Sequence, residues 1–153
     1  YPNHPQRYRA MLSRADCLSA NASKGMLDWS EASDAYERLY DLSQVPDALH
    51  VEAGYKWGFA LEKDQKIKEA QVVYWSLLER YLLNVNASSG DQQNGHIWLS
   101  RSLFALAQLS ERNGDIGEAI KSYQMILDYR LPGQPLAKAK KDTLTPFPTS
   151  ELN

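Results

Sequence analysis

Residues 116–126 read IGEAIKSYQMI, and the same pattern occurs twice earlier, as WSEASDAYERL at 29–39 and IKEAQVVYWSL at 67–77. The shared form is apolar-x-Glu-Ala-x-x-x-Tyr-x-x-Leu/Ile. Its apolar, Ala, Tyr and final aliphatic positions are three or four residues apart, so they lie on one face of an α-helix. A small Ala on that face lets a neighbouring helix approach closely, and the Tyr fills the space beside it. The sequence therefore predicts three copies of one helical unit.

A second helical stretch with its own small residue precedes each copy. Gly58 and Ala107 each lie 12 residues before the alanine of the copy that follows, whereas Ala15 lies 17 residues before its alanine. The five extra residues fall within ANASKG at 20–25, a composition typical of a loop. The repeated unit is therefore predicted to be a helical hairpin, used three times.

Residues that start and stop helices place six of these helices and part of a seventh. Pro5 fits the first turn of the first helix, where its missing N–H costs nothing, and Pro46 opens the third. Asp28 and Asp115 each precede a glutamate three residues on, the pattern of a cap with a reciprocal acidic residue, and Asp64 is placed to cap the fourth helix. The predicted helices span 6–20, 28–42, 46–62, 65–83, 95–112 and 115–130, followed by a helical start at 136–143.

Two segments are predicted to lack helix, and the two ends of the repeat region resemble each other. NVNASSGDQQNG at 84–95 reads as a loop, and the proline-rich residues 145–153 read as an extended or disordered tail. YPNHP at 1–5 is similar to YRLPGQP at 129–135, which closes the third hairpin and leads into another helix. By that analogy the chain begins at the closing residues of an earlier hairpin, which predicts a segment of a longer solenoid.

These positions resemble the tetratricopeptide repeat (TPR), a helix–turn–helix module of about 34 residues with the pattern Trp-x-x-Leu-Gly-x-x-Tyr, then Ala-x-x-x-Phe, then Pro. The third copy matches best, with Leu103, Leu106, Ala107, Gly114, Ala119, Tyr123, Ile126 and Pro132. The second copy supplies Trp57, Gly58, Leu61, Ala70, Tyr74 and Leu77. The first copy supplies Met11, Ala15, Leu18, Ala32, Tyr36 and Leu39. The resemblance covers about residues 6–131 and departs from the family in spacing, since successive pattern alanines are 38 and 49 residues apart.

The resemblance implies an all-α fold, a right-handed superhelical solenoid of three TPR-like helical hairpins plus a short C-terminal helix. The hairpins are expected at about 6–42, 46–83 and 95–130, within one helical-repeat domain that spans 1–144.

Composition limits the classes of protein to which the chain belongs. Hydrophobic residues make up 43% and charged residues 24%, the balance of a folded soluble protein. A formal charge of -2 argues against binding nucleic acid by neutralising phosphates. No apolar run approaches the roughly 20 residues of a membrane span, so direct membrane insertion is not expected. One cysteine excludes an internal disulfide and a cysteine-rich zinc site.

Reactive side chains form no recognisable catalytic pattern. Phosphate-binding glycine loops and His-Glu-x-x-His metal motifs are absent from the sequence. His4, His50 and His96 each lie near a predicted helix start and are interpreted as solvated. Cys17 is interpreted as a buried small hydrophobic residue. No catalytic residue, metal site or cofactor is therefore predicted, and the chain is expected not to be an enzyme.

By the same resemblance, the first helix of each hairpin lines a concave surface, and residues next to its core positions face a groove. The predicted partner-binding residues are Arg9, Asp16, Glu52, Tyr55, Phe59, Glu62, Arg101, Phe104 and Gln108. Tyr55 and Phe59 are four residues apart and Phe104 is the third-copy counterpart of Tyr55, so together they predict an aromatic ridge flanked by charges. The alternative is that these aromatics pack between hairpins or under the long loop. Trp29 is assigned to the core, and Trp98 to no site.

The predicted function is that of a non-enzymatic module that holds a partner protein or peptide on its concave face. Two alternatives stay open: a structural spacer in a longer solenoid without a groove ligand, and an enzyme on a helical-repeat scaffold. Irregular spacing and the Tyr-Pro-x-x-Pro junction resemble TPR proteins of the bacterial cell envelope, which implies a periplasmic or cell-envelope location. The oligomeric state is left open.

Overall fold

A computed structural model describes residues 4–84 and 92–146. Throughout these residues the ordered elements are helices and no strand occurs, which confirms the predicted all-α class. The helices are α1 Pro5–Ser23, α2 Trp29–Tyr40, α3 Asp47–Lys63, α4 Ile67–Leu78, α5 Gln92–Asn113, α6 Ile116–Asp128 and α7 Gln134–Leu144. A π-helical turn, Glu79–Leu83, follows α4 directly. The predicted tail beyond residue 146, and residues 85–91 of the predicted loop, lie outside the described residues.

The chain divides into two compact units, Tyr1–Ser102 and Leu103–Asn153, and the boundary falls inside α5. In the N-terminal unit α1 contacts α2, α2 contacts α3, and α3 contacts α4. The first helices of two successive pairs, α1 and α3, also contact each other. In the C-terminal unit α7 packs on α6, and Tyr123 of α6 bonds to Glu111 of α5.

The buried positions of the three copies are those that the periodicity predicts. Fully buried side chains recur at the alanine, tyrosine and aliphatic positions: Ala32, Ala70, Ala119, Tyr36, Tyr74, Tyr123, Leu39, Leu77 and Ile126. The opening apolar position differs, because Trp29 and Ile67 are half-buried and Ile116 is 38% exposed. Trp29 is half-buried and packs against the core cluster, so its assignment to the core is corrected to a position at the edge of the core. The reason is that each of these residues is the first of its helix, so no preceding turn of the same helix lies beneath its side chain.

Close approach at the small residues is clearest in the second pair, α3 with α4. A Cβ atom on Gly58 would collide with Cε1 of the buried Tyr74 ring and lie 2.8 Å from its Cζ. A Cβ on Gly54 would lie 2.6 Å from Cδ2 of Leu77. The two glycines therefore let the ring and the leucine of α4 rest directly on the backbone of α3.

Helix ends agree with the sequence in position more than in chemistry. Pro5 begins α1, and Asp28 and Asp115 are the N-cap residues of α2 and α6, but neither side chain makes a capping hydrogen bond. The expected caps at these residues were therefore wrong in their bonding. Asp64 does not cap α4 either, because Lys66 is the N-cap and its Nζ lies 2.8 Å from Asp64 Oδ2.

Two predicted loops are shorter than expected. α1 runs on through Ser23, because Ala22 is buried and the turn comes only at Gly25, whose φ is +72°. The extra residues of the first copy thus lengthen both α1 and its connection to α2, which spans 24–28, against 64–66 and 114–115 in the later pairs. α5 begins at Gln92, so the helix takes over the last residues of the predicted 84–95 loop. Within the described part of the chain, no helix combines the length and the apolar character needed to cross a membrane.

Candidate functional site

A hydrogen bond from the repeat tyrosine to a carboxylate fixes the second and third helix pairs. Tyr74 Oη donates to Glu62 Oε1 at 2.7 Å, and Tyr123 Oη donates to Glu111 Oε1 at 2.6 Å. In both pairs the glutamate precedes the tyrosine by 12 residues. Burial first, and the accepting carboxylate second, raise the pKa of both tyrosines, so the hydroxyls stay protonated at neutral pH.

The same tyrosine bonds differently in the first pair, α1 with α2. Tyr36 Oη donates to Asp16 Oδ1 at 2.7 Å, and Lys56 of α3 donates to both oxygens of that carboxylate at 2.9 Å. Lys56 Nζ also lies 2.7 Å from Glu52 Oε1. Burial works against the lysine's charge, but the bonds to Glu52 and Asp16 outweigh it, and the pKa of Lys56 is raised. One carboxylate therefore joins α1, α2 and α3.

Beside this network an open groove of about 790 Å³ runs across the N-terminal unit. Side chains from α1, α2, α3 and α5 line it: Asp16, Ser19, Ala20, Ser23, Trp29, Tyr36, Tyr55, Lys56, Phe59, Lys63, Trp98 and Arg101. Trp29 meets Phe59 edge-on with ring centroids 5.9 Å apart, and Tyr55 lies 5.5 Å from Trp98. The groove thus has two aromatic pairs, each of half-buried rings.

Cations lie over these rings. Lys63 Nζ is 5.1 Å from the Phe59 centroid, and Arg101 Cζ is 4.8 Å from the Trp98 centroid. Lys56 Nζ approaches the same tryptophan at 5.5 Å. Within residues 4–84 and 92–146, neither Lys63 nor Arg101 forms an ion pair. Among the described residues, the groove therefore carries two positive charges, on Lys63 and Arg101, that no ion pair neutralises and that lie next to apolar surface.

The predicted site residues divide into three groups. Asp16, Tyr55, Phe59 and Arg101 line the groove together. Outside that lining, Glu52 pairs with Lys56, Glu62 accepts the hydroxyl of Tyr74, and Arg9 is exposed on α1. The remaining two belong to the C-terminal unit, where Phe104 packs 5.8 Å from Tyr123 and Gln108 is exposed.

Eight of the lining residues were not predicted as site residues, and four of these supply rings or cations of the groove: Trp29, Lys56, Lys63 and Trp98. A signal for three of them existed in the helical spacing. Lys56 and Lys63 lie three and four residues from Phe59, and Trp98 lies three residues from Arg101, so each shares a face with a predicted site residue. What the sequence lacked was the packing of α5 beside α3.

His50 is 3% exposed, so its interpretation as a solvated residue was wrong. Its Nε2 lies 2.9 Å from the Tyr40 carbonyl oxygen, and its Nδ1 lies 2.8 Å from Tyr81 Oη. Because a carbonyl only accepts, Nε2 carries the proton of the neutral ring and Nδ1 accepts from the Tyr81 hydroxyl. Burial, and then the charge of Arg80, lower the pKa of His50 to about 4.

Cys17 is exposed, which corrects its interpretation as a buried residue. It lies two positions after the buried Ala15, and a step of two residues turns a side chain to the far side of a helix. Among the described residues, no cluster of three or more histidine, cysteine or acidic side chains is arranged to hold a metal ion. Comparison of the chain with protein-family models, with curated proteins and with solved structures finds no match.

Proposed function

We propose that this chain is a TPR-like helical-repeat module that binds a segment of a partner protein in the groove of its N-terminal unit. The repeat part of the proposal is supported by the recurrence of one buried alanine and one buried tyrosine in three helix pairs. It is supported further by the contact between α1 and α3, the first helices of successive pairs, which a stacked right-handed solenoid requires.

The observation that carries the binding proposal is the aromatic lining of the groove. Trp29, Phe59, Tyr55 and Trp98 are half-buried, so each ring offers apolar area while its contacts hold it in place. Rings that are already ordered lose little conformational entropy when a ligand covers them. Aromatic side chains in a concave site are also the residues that contribute most to protein–protein affinity.

A role in binding rather than in catalysis is favoured by how the polar groups of the groove are used. Asp16 already accepts hydrogen bonds from Tyr36 and Lys56, so its oxygens are committed to the fold. The pKa of Tyr36 is raised by burial and by Asp16, which keeps its hydroxyl protonated and weakly nucleophilic. The cell-envelope location, and the membership of a longer solenoid, rest on the resemblance alone and stay predictions.

A peptide-display experiment tests the proposal. Short random peptides displayed on phage are selected on the intact chain, and the affinities of the selected peptides are measured by calorimetry. Phe59→Ala is expected to weaken them by about tenfold or more, as for the loss of a central aromatic contact. Phe59→Leu, which keeps most of the apolar volume, should weaken them less.

Val72→Ala is the matched control, since Val72 is 65% exposed on α4 and lies outside the groove lining. Thermal unfolding by circular dichroism verifies that each variant is folded. The proposal fails if no peptide is selected, or if the selected peptides bind Phe59→Ala and Phe59→Leu as tightly as they bind the unmodified chain. Either result favours the spacer interpretation.

A further inference from the structure

Positive charges outnumber negative charges among the described groove-lining residues, and this excess indicates what kind of segment the groove binds. Among the groove-lining residues that the structure describes, Asp16 is the one carboxylate, against the cations Lys56, Lys63 and Arg101. Lys56 is neutralised twice over, by Asp16 and by Glu52. The remaining positive charge belongs to Lys63 and Arg101, although the chain as a whole has a formal charge of -2.

The two unneutralised cations lie beside the rings that would anchor a ligand. Lys63 lies at the Trp29–Phe59 pair and Arg101 at the Tyr55–Trp98 pair, so each aromatic pair has one cation that is outside the Asp16–Lys56–Glu52 network. A side chain that covers one of these rings brings its neighbours in the peptide close to the cation. An acidic neighbour gains a charge-assisted hydrogen bond there, and a basic neighbour is repelled.

We infer that the groove selects peptide segments in which acidic side chains stand next to aromatic or aliphatic ones, with Lys63 and Arg101 as the residues that determine this preference. The inference rests on the proposed function, since it names the chemical class of the segment that the groove binds. Asp16 weakens the preference, because its carboxylate repels an acidic segment, while Lys56 is held by both Asp16 and Glu52.

A nucleic acid is the less favoured occupant of the same surface. Single strands also use aromatic rings and cations, but they need a row of cations that follows the phosphates. The groove has two unneutralised cations among its described residues, and Glu52 lies beside Lys56. A protein of net negative charge is also a poor electrostatic target for a polyanion.

Three fluorescein-labelled peptides with the same leucine and phenylalanine positions test the inference on the intact chain. In the first the intervening residues are glutamate, in the second glutamine and in the third lysine, and all are acetylated and amidated. We expect the glutamate peptide to bind about tenfold more tightly than the glutamine peptide, and the lysine peptide to bind most weakly. The difference should shrink when salt is raised from about 0.05 to about 0.5 M, because added salt screens the exposed cations.

Substitutions locate the preference. Lys63→Gln and Arg101→Gln should each weaken the binding of the glutamate peptide by about three- to tenfold and leave the affinity for the glutamine peptide unchanged. Asp16→Asn should tighten the binding of the glutamate peptide, since it removes a negative charge from the groove lining while Glu52 still holds Lys56. Lys68→Gln makes the same change of charge on the exposed face of α4, outside the groove lining, and should have no effect.

The outcomes separate the inference from the proposed function. If glutamate and glutamine peptides bind equally, and both are weakened by Phe59→Ala, the groove binds peptides and the acidic preference is wrong. If none of the peptides binds and none is selected by display, the proposed function itself is wrong. A glutamine peptide with a free C-terminal carboxylate that binds as tightly as the amidated glutamate peptide overturns the assignment to side-chain carboxylates. A thymidine oligonucleotide that displaces the glutamate peptide at equal concentration overturns the assignment to a protein ligand.

Discussion

The first helix pair and the two later pairs use the same tyrosine in different ways. In the second and third pairs the hydroxyl donates to a glutamate 12 residues upstream, and that carboxylate stays within its own pair. In the first pair the matching position, four residues after the small residue, is Ser19 rather than a glutamate, and the Tyr36 hydroxyl donates to Asp16. Asp16 also binds Lys56 of α3, so the bond leaves the pair and reaches the next one.

The difference teaches how a repeat acquires a specific surface without losing its core. The alanine and the tyrosine ring keep their places in all three pairs, because each fills space between two helices. The acceptor of the hydroxyl differs in position by about one helical turn between the pairs, since it lies at the edge of that core. In the first pair the acceptor is Asp16, whose bond to Lys56 forms part of the wall of the groove.

Protonation of His50 should give the largest effect, because this ring joins the end of the first pair to the second. Its pKa is about 4 when folded and 6.5 when unfolded, so the unfolded chain takes up the proton first as pH falls. The stabilising effect is complete above pH 6.5, decreases as pH falls to about 4, and does not change further below that. The loss amounts to about 3 kcal/mol, since one pKa unit corresponds to about 1.4 kcal/mol.

Urea unfolding at a series of pH values measures this loss, and His50→Gln is the variant to compare. The variant should be less stable than the unmodified chain at pH 7, and the difference in the free energy of unfolding should narrow between pH 6.5 and 4. The charged groups around position 50, which are Asp47, Asp41 and Arg80, are present in both chains and form the common background of the comparison. Parallel pH curves for the two chains would contradict the burial of a neutral His50.

Adding one methyl group should distinguish the second pair from the third. Gly58→Ala forces a Cβ into the Tyr74 ring and should lower the free energy of unfolding by about 1–3 kcal/mol, as overpacking does. Gly117→Ala adds the same methyl to α6, where nothing lies within 4 Å, and should raise it by up to about 1 kcal/mol through helix propensity. Chemical denaturation gives both values, and equal signs would mean that the close approach at Gly58 is absent.

Removal of each repeat hydroxyl tests the comparison directly. Tyr74→Phe and Tyr123→Phe should each lower the free energy of unfolding by about 1 kcal/mol, because each glutamate loses its partner. Tyr36→Phe should cost less, since Asp16 keeps Lys56. Thermal or urea unfolding ranks the three variants. If Tyr36→Phe lowers the free energy of unfolding more than the other two variants do, the bonds from Lys56 do not compensate Asp16 for the lost hydroxyl.

The smallest effect is expected for the bond that leaves the first pair. A double-mutant cycle of Asp16→Asn with Lys56→Gln should give a coupling of about 0.5 kcal/mol, because the two side chains are 42% and 20% exposed and water weakens their attraction. The coupling should decrease in high salt. A coupling of zero at low salt would show that the link between the pairs contributes no stability.

The core of the fold was predictable from the sequence because burial follows the helical period. Ala70, Tyr74 and Leu77 share one face at spacings of four and three, and no tertiary information is needed to group them. Cys17 shows the limit of this reasoning, since a shift of two positions along a helix, from the buried Ala15 to Cys17, is enough to turn a side chain from the core to solvent.

The candidate site was half predictable, for a different reason. Tyr55 and Phe59 stand on one helix, and their shared face can be read from local spacing. Trp98 reaches Tyr55 because α5 passes beside α3. His50 is covered by the Tyr40 ring, stacked on it at 4.0 Å, and by Tyr81, which lies 31 residues further along the chain. Contacts between residues far apart in the chain leave no periodic trace, so these two side chains were misjudged.

The glycine at position 58 makes the copies of this repeat non-interchangeable. The first and third pairs have an alanine at the matching site, so a consensus built from all three copies would write alanine there as well. In the second pair, the methyl group of that consensus alanine would collide with the ring of Tyr74. A redesign that exchanges helix pairs should therefore transfer α3, with Gly58, and α4, with Tyr74, together.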